Sequence, residues 1–160
     1  EAKAQACGAT GGGCPGSRAM TFAPPAPSSR GGAAGAEARP SRLAQWPVQL
    51  HLLNPAAAYF KQCDLLLAAD CVAFAMPDFH ERFLDGKTVA VACPKLDDTQ
   101  PYVGKLAEIL AANDVRSLTV AIMEVPCCGG LERIAREALR ISGRAIPFQT
   151  RIVSLRGETD

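Results

Sequence analysis

The chain has 160 residues, room for one ordinary domain and a tail. Hydrophobic residues make up 48% of it but aromatics only 6%, so alanine and small aliphatic side chains must fill the core. With 17 basic and 16 acidic residues the formal net charge is +1, which gives no electrostatic case for nucleic acid or an anionic membrane as partner, and no apolar run approaches the ~20 residues of a membrane helix.

Residues 1–40 are dominated by Gly, Ala, Pro and Ser, as in GATGGGCPGS, APPAPSS and RGGAAGAEA. Such a segment buries too little apolar surface to offset its chain entropy, so it reads as a flexible linker. It has neither an initiator Met nor a signal-peptide core, which reads as a fragment of a longer chain. Gly11-Gly12-Gly13 lacks the preceding strand and the Gly-Lys-Ser/Thr ending of a phosphate loop. The ordered domain is expected over 41–160.

Within that domain Val48, Leu50 and Leu52 alternate with Gln49 and His51 behind Pro47, the pattern of a strand with one polar face. Asn54-Pro55 punctuates the chain, and AAAYFKQ reads as a short helix. DLLLAA (Asp64–Ala69) is a continuous apolar run, as in a strand buried on both faces. Phe79 and Phe83 stand at i and i+4 behind Pro77, so a helix follows, ended by Asp85-Gly86. KTVAVAC is the next buried strand. After Pro101, Val103, Leu106, Ala107 and Leu110 form one face of a helix. SLTVAIMEV (Ser117–Val125) is another buried strand, followed by a helical stripe of Leu131, Ile134, Ala135, Ala138 and Leu139 that stops near Gly143. IPFQTRIVSL supplies a last strand, placed at an edge by Pro147. The alternation predicts an α/β fold: a mainly parallel five-stranded sheet with helices on both faces, a flavodoxin- or Rossmann-like three-layer sandwich.

The chemistry lies in the cysteines, of which there are seven. An odd count, an adjacent pair (Cys127-Cys128) and no export signal argue against a disulfide framework and for free thiols or metal ligands. Cys71, Cys93, Cys127 and Cys128 each fall at the carboxyl end of a predicted buried strand. Parallel strands bring those ends to one edge, where open α/β sheets bind ligands. Cys63 precedes its strand and is expected at the opposite edge. Cys7 and Cys14 fall in the linker, Cys14-Pro15-Gly16 being a candidate mobile ligand. Thiolates suit Zn²⁺ or an iron–sulfur cluster. Zinc sites draw on close C-x-x-C pairs, which are missing here, so iron–sulfur is favoured over zinc, although the usual ferredoxin run is missing too.

Asp70 and Glu124 flank the cysteines as candidates to orient ligands or move protons. Asp97 and Asp98 read as caps for the helix at Pro101. Lys95, His80 and His51 read as surface residues or as residues without an assigned role, and Trp46 as packing at the start of the domain. No Ser-His-Asp order, H-E-x-x-H or Walker pattern occurs, which lowers the case for a hydrolase or an NTPase.

The strings CPGS (Cys14–Ser17), WPVQL (Trp46–Leu50), AADC (Ala68–Cys71), ACPKLDD (Ala92–Asp98) and MEVPCCGG (Met123–Gly130) resemble a family of bacterial iron–sulfur cluster-binding proteins. Its members join an N-terminal ferredoxin module with two [4Fe–4S] motifs to a C-terminal domain like this one; that module is missing from this chain. Cys-Cys-Gly also resembles the cluster-binding domains of heterodisulfide reductases, without their downstream C-x-x-C. The resemblance implies cytoplasmic, anaerobic electron transfer, a ferredoxin module in the full-length protein and a redox partner protein. Three functions follow as expectations. One is a [4Fe–4S] electron-transfer domain with Cys71, Cys93, Cys127, Cys128 and the linker's Cys14 as candidate ligands. Another is an interaction or regulatory module with structural or redox-sensing thiols or a zinc site. The third is a small-molecule reductase dependent on thiols or a cluster.

Overall fold

The structure is a computed structural model that describes residues 15–23 and 39–159. Two short strands, β1 (Met20–Thr21) and β2 (Gln45–Trp46), pair antiparallel. They are followed by β3 (Asp64–Ala69), α1 (Val72–Ala75), a single π-helical turn (His80–Leu84), β4 (Thr88–Ala92), α2 (Tyr102–Ala112), β5 (Ser117–Met123), α3 (Gly129–Ser142) and β6 (Phe148–Val153). Strands β3 to β6 form a four-stranded parallel sheet in the order β4-β3-β5-β6.

The burial pattern follows from that order. β3 has β4 on one side and β5 on the other, and Leu65, Leu66 and Leu67 are fully buried. Side chains that alternate in direction are all buried only if both faces of the sheet are covered. Each of these leucines contributes about 2 kcal/mol of burial free energy. β6 lies at the edge, as Pro147 predicts, with Gln149, Arg151 and Ile152 exposed. Between β3 and β4 the chain steps outward; it then crosses back over β3 to β5 and on to β6. With right-handed crossovers, this reversal places α2 and α3 on one face and α1 with the π turn on the other. The side chains agree: Arg136 of α3 lies 4.6 Å over the Phe148 ring, while Thr119, Gln149 and Arg151 line a cleft with Arg82 and Phe83 of the π turn.

The expected fifth strand is not formed. Over 48–52 the backbone makes one parallel bridge, Gln49 to Val91, and then turns into a 3₁₀ segment at Leu50–Leu52. The Gln49 side chain accepts a hydrogen bond from the His51 amide and starts that turn. Leu50 and Leu53 enter the core and Leu52 is 47% exposed, a spacing of three that a turn satisfies and a strand does not. Two expected helices are also shorter or tighter: AAAYFKQ gives a 3₁₀ turn at Ala58–Phe60, and PDFHERFL gives the π turn, with the Phe79 and Phe83 rings stacked 5.8 Å apart.

Residues 15–23 fall within the stretch expected to be linker, yet they meet the domain. Met20 and Thr21 pair with Trp46 and Gln45, and Trp46 Nε1 donates to the Gly16 carbonyl at 2.7 Å. Among the described residues no helix is long and apolar enough to cross a membrane.

Candidate functional site

The reversal in strand order opens a crevice between the carboxyl ends of β3 and β5, because the loops leaving these two neighbours run to opposite faces. Cys71 lies at the β3 side of it, as the residue capping the start of α1. Cys127 and Cys128 lie at the β5 side, in the 3₁₀ turn Pro126–Cys128 that leads into α3. Cys93 follows β4, the strand on the other side of β3. Neighbouring strands are about 4.8 Å apart, so the three strand ends span roughly 10 Å.

These thiols differ in environment. Cys71 and Cys127 are exposed, Cys93 is half-buried and Cys128 is buried. Burial pushes the Cys128 thiol above its ordinary pKa, and the neighbouring Cys127 and Cys71 push it further, against a backbone hydrogen bond from Met123. Desolvation therefore outweighs that hydrogen bond, and Cys128 holds its proton at neutral pH.

The Cys93 loop is held by a polar knot that the sequence did not reveal. Asp97 Oδ2 accepts from the Cys93 amide at 2.8 Å, from Gln49 Nε2 at 3.0 Å and from the Tyr102 hydroxyl. The Asp97 amide in turn donates to the Cys93 carbonyl at 3.0 Å. Burial disfavours the Asp97 carboxylate, but its bonds from Tyr102, the Cys93 amide and Gln49 outweigh this and hold it below the usual carboxylate range. Tyr102 is shifted upward, by burial first and by the Asp97 carboxylate second, so it stays a donor. Asp97 thus closes the loop back onto Cys93 instead of capping the helix after Pro101, the role expected for it; α2 begins with no side-chain cap. Asp98 does bond forward, its Oδ1 accepting from the Gln100 amide at 3.1 Å.

Across the crevice the loop meets α3. A Cβ on Gly130 would stand 3.0 Å from the Pro94 Cβ, so glycine permits the Cys93-Pro94 turn to approach the residues that follow Cys128. Asp70 extends the polar side of the site: its amide donates to the Ala92 carbonyl at 3.3 Å, and burial, with Asp97 nearby, raises its carboxyl pKa. Glu124 has a structural partner, its Oε1 accepting from the Leu155 amide at 2.8 Å.

Cys63 lies at the other edge. Its carbonyl accepts from the Arg116 amide, its thiol contacts Thr88 at the start of β4, and burial pushes the thiol up to about 11. Lys95 is exposed. His51 packs its ring 4.5 Å from Tyr102, and His80 is an exposed residue whose Nδ1 accepts from the Arg42 amide. Cys7 and Cys14 lie outside the described residues.

The donor chemistry of this edge fits a soft metal or an iron–sulfur cluster, since the donors are thiols. Their spacing is not that of ligands around one ion, since among the described residues no group of three or more His, Cys, Asp or Glu side chains is gathered for a single metal. Loops that leave separate strand ends would have to draw together to enclose a cluster.

A protein of Archaeoglobus fulgidus described as uncharacterized is 32% identical over 116 residues, which cover 72% of this chain and 81% of the relative. No solved structure gives a significant match. Residues 57–159, from the turn before β3 to the segment after β6, match a family model described as a Rossmann-like domain, and the chain belongs to that family.

Proposed function

We propose that this domain carries a redox centre of an iron–sulfur electron-transfer protein, with Cys71, Cys93, Cys127 and Cys128 as ligands of a [4Fe–4S] cluster. The observation that carries the reading is the placement of Cys71 and Cys127-Cys128 on the two sides of the β3/β5 crevice, with Cys93 on the adjacent strand end. A cluster bound there would take up and release single electrons. The chain's own residues prepare the edge for it. Asp97 fixes the backbone at Cys93 and Gly130 lets that loop close on α3, and a cationic centre that replaced the thiol protons would offset the mutual repulsion of the thiolates so formed. In the full-length protein the electron source would be an N-terminal ferredoxin module, with Cys14 as a further ligand, in the cytoplasm.

One observation favours a second reading, redox-sensing thiols in an interaction module: Cys71 and Cys127 are exposed beside a protonated Cys128. A single experiment separates the two. The protein is reconstituted anaerobically with iron and sulfide, then assayed for both elements and, after dithionite reduction, by electron paramagnetic resonance. Stoichiometric iron and sulfide that are lost in Cys93→Ser and retained in Cys63→Ala support the cluster. A colourless, iron-free protein overturns it.

A further inference from the structure

The cleft between the π turn and β6 has a volume of about 240 Å³ and is lined by hydrogen-bond donors. Its floor is polar in the middle of an otherwise apolar sheet. Thr119 is 4% exposed and stands in register between Leu66 of β3 and Gln149 of β6. Gln149 Nε2 donates to Thr119 Oγ1 at 3.0 Å, so the threonine accepts there and keeps its own hydroxyl proton to give. Thr159 lines the same space, and its Oγ1 is buried with no hydrogen-bond partner among the described residues. Buried hydroxyls ordinarily have a partner, and an orphaned one calls for an explanation. An acceptor held in the cleft supplies it.

Arg82, Lys87 and Arg151 stand around these hydroxyls, and among the described residues no carboxylate belongs to the lining. The carboxylates nearby keep their charge but are placed elsewhere. Asp78 pairs with Arg82 at 3.7 Å and Asp85 with Arg42 at 3.6 Å. Asp64, opposite Lys87 in register, is turned to Arg116 and Ser117. Glu158 lines the adjoining groove together with Arg39, Asp78 and Arg82. Arg151 already interacts within the chain. Lys87 differs from all of these: it is half-buried and enters no ion pair among the described residues. With a net charge of +1 the molecule as a whole attracts nothing strongly, so contact inside the cleft decides. A partly enclosed pair is screened far less than an exposed one.

We propose that this cleft binds the phosphoryl group of a small phosphate monoester. Lys87 supplies the point charge, Arg82 a planar fork, and Thr119, Thr159 and Gln149 neutral donors. Donors that converge from the floor and both walls suit the three acceptor oxygens of a phosphoryl group better than a flat carboxylate. The volume is many times the ~10–15 Å³ that one bound water needs and below the ~300–1,000 Å³ of pockets for drug-sized ligands. That leaves room for a short organic stem beside Phe83, the one apolar residue of the lining. No cysteine lines the cleft, so the proposal goes beyond the iron–sulfur reading and does not depend on it.

The test reads the site directly. The ¹⁵N-labelled protein is titrated with glycerol 3-phosphate, inorganic phosphate and acetate at constant ionic strength, in about 150 mM chloride so that exposed charges are screened. Saturable shifts are expected at the amides of residues 82–83, 87, 119, 149–151 and 159 with both phosphates, at lower concentration with the ester, and not with acetate. Lys87→Gln should weaken binding by about tenfold or more, and Thr119→Val, which replaces the buried hydroxyl with a methyl, by about threefold or more. Arg133→Gln, an exposed charge on α3 away from the cleft, should bind as the wild type does. The Lys87 side chain makes no hydrogen bond or ion pair among the described residues, so Lys87→Gln keeps its fold, checked by the rest of its spectrum. No saturation below about 20 mM overturns the proposal. So do shifts centred elsewhere, an equal response to acetate, inorganic phosphate binding as tightly as the ester, unchanged affinity in Lys87→Gln, or an equal loss in Arg133→Gln.

Discussion

Pro94 and Gly130 touch across the crevice, with 3.0 Å between the Pro94 Cβ and the place a Gly130 Cβ would occupy. Gly129 beside it has open space, with nothing within 4 Å. Two adjacent glycines at the start of α3 therefore answer differently to the same change. Gly130→Ala must push a rigid proline ring away by a few tenths of an ångström and is expected to lower stability by about 1 kcal/mol. Gly129→Ala gains helix propensity and is expected to be neutral or stabilising by up to about 1 kcal/mol. Urea denaturation midpoints of the two variants check this; equal effects would show that the loop contact constrains nothing.

Asp97 makes a pH-dependent contribution whose sign follows from its lowered pKa. A depressed carboxyl pKa stabilises the fold above the unfolded-state value of about 3.9, and this is lost as pH falls through the lower folded-state value. The wild type is expected to lose that contribution below about pH 4, and Asp97→Asn to lack it. At pH 7 the asparagine should cost about 1–2 kcal/mol, because three donors share the one oxygen and Tyr102 is fully buried. A flat difference between the two proteins from pH 2 to pH 7 would count against it.

Much of the fold was legible in the sequence, and the parts that were not have physical causes. DLLLAA and SLTVAIM announce strands because both faces are covered, so their apolar runs are unbroken. The common edge of Cys71, Cys93, Cys127 and Cys128 then follows from parallel topology alone. Alternation misled at 48–52, where Gln49 turns the chain and Leu53 replaces Leu52 in the core. The knot around Asp97 was out of reach, since Gln49 lies 48 residues away from Asp97 and 53 from Tyr102. The exposed Phe74, Leu96 and Leu155 carried no signal either, because a four-residue helix and two loop positions are too short to show a period.

The cysteines should alkylate in an order set by exposure and desolvation. Iodoacetamide at pH 8 is expected to modify Cys71 and Cys127 first, Cys93 next and Cys128 slowly, with Cys63 reacting only on unfolding. Cys63, raised to about 11, contributes stability as a neutral thiol that is full below the unfolded-state value of about 8.5 and is lost as pH rises towards 11. Cys63→Ala should therefore cost about 1 kcal/mol at pH 7 and less at pH 10. Peptide mass spectrometry at timed quenches reads the order; early labelling of Cys63 would contradict its burial.

Gly157 and Gly143 make a pair in which backbone strain can be told from collision. Both are in the left-handed region, at φ 83° and 66°. Gly143 closes α3, with its amide donating to the Arg140 carbonyl, and has nothing within 4 Å of an added Cβ. Alanine there meets only the left-handed penalty, about 1–2 kcal/mol, and asparagine, which tolerates that region, less. At Gly157 the same alanine also drives its Cβ to 2.2 Å from the Ala75 carbonyl, a contact that backbone cannot relieve without moving the turn off α1. Gly157→Ala is therefore expected to destabilise by at least ~1 kcal/mol more than Gly143→Ala, and asparagine should rescue position 143 but not position 157. Because the turn rests on the end of α1, the Gly157 variant should also shift the amides around Phe74, whereas the Gly143 variant leaves them in place. Urea titrations of the four variants, with ¹⁵N spectra of the two alanine proteins, decide it. Rescue by asparagine at both positions would mean that the 154–157 turn is free to leave α1.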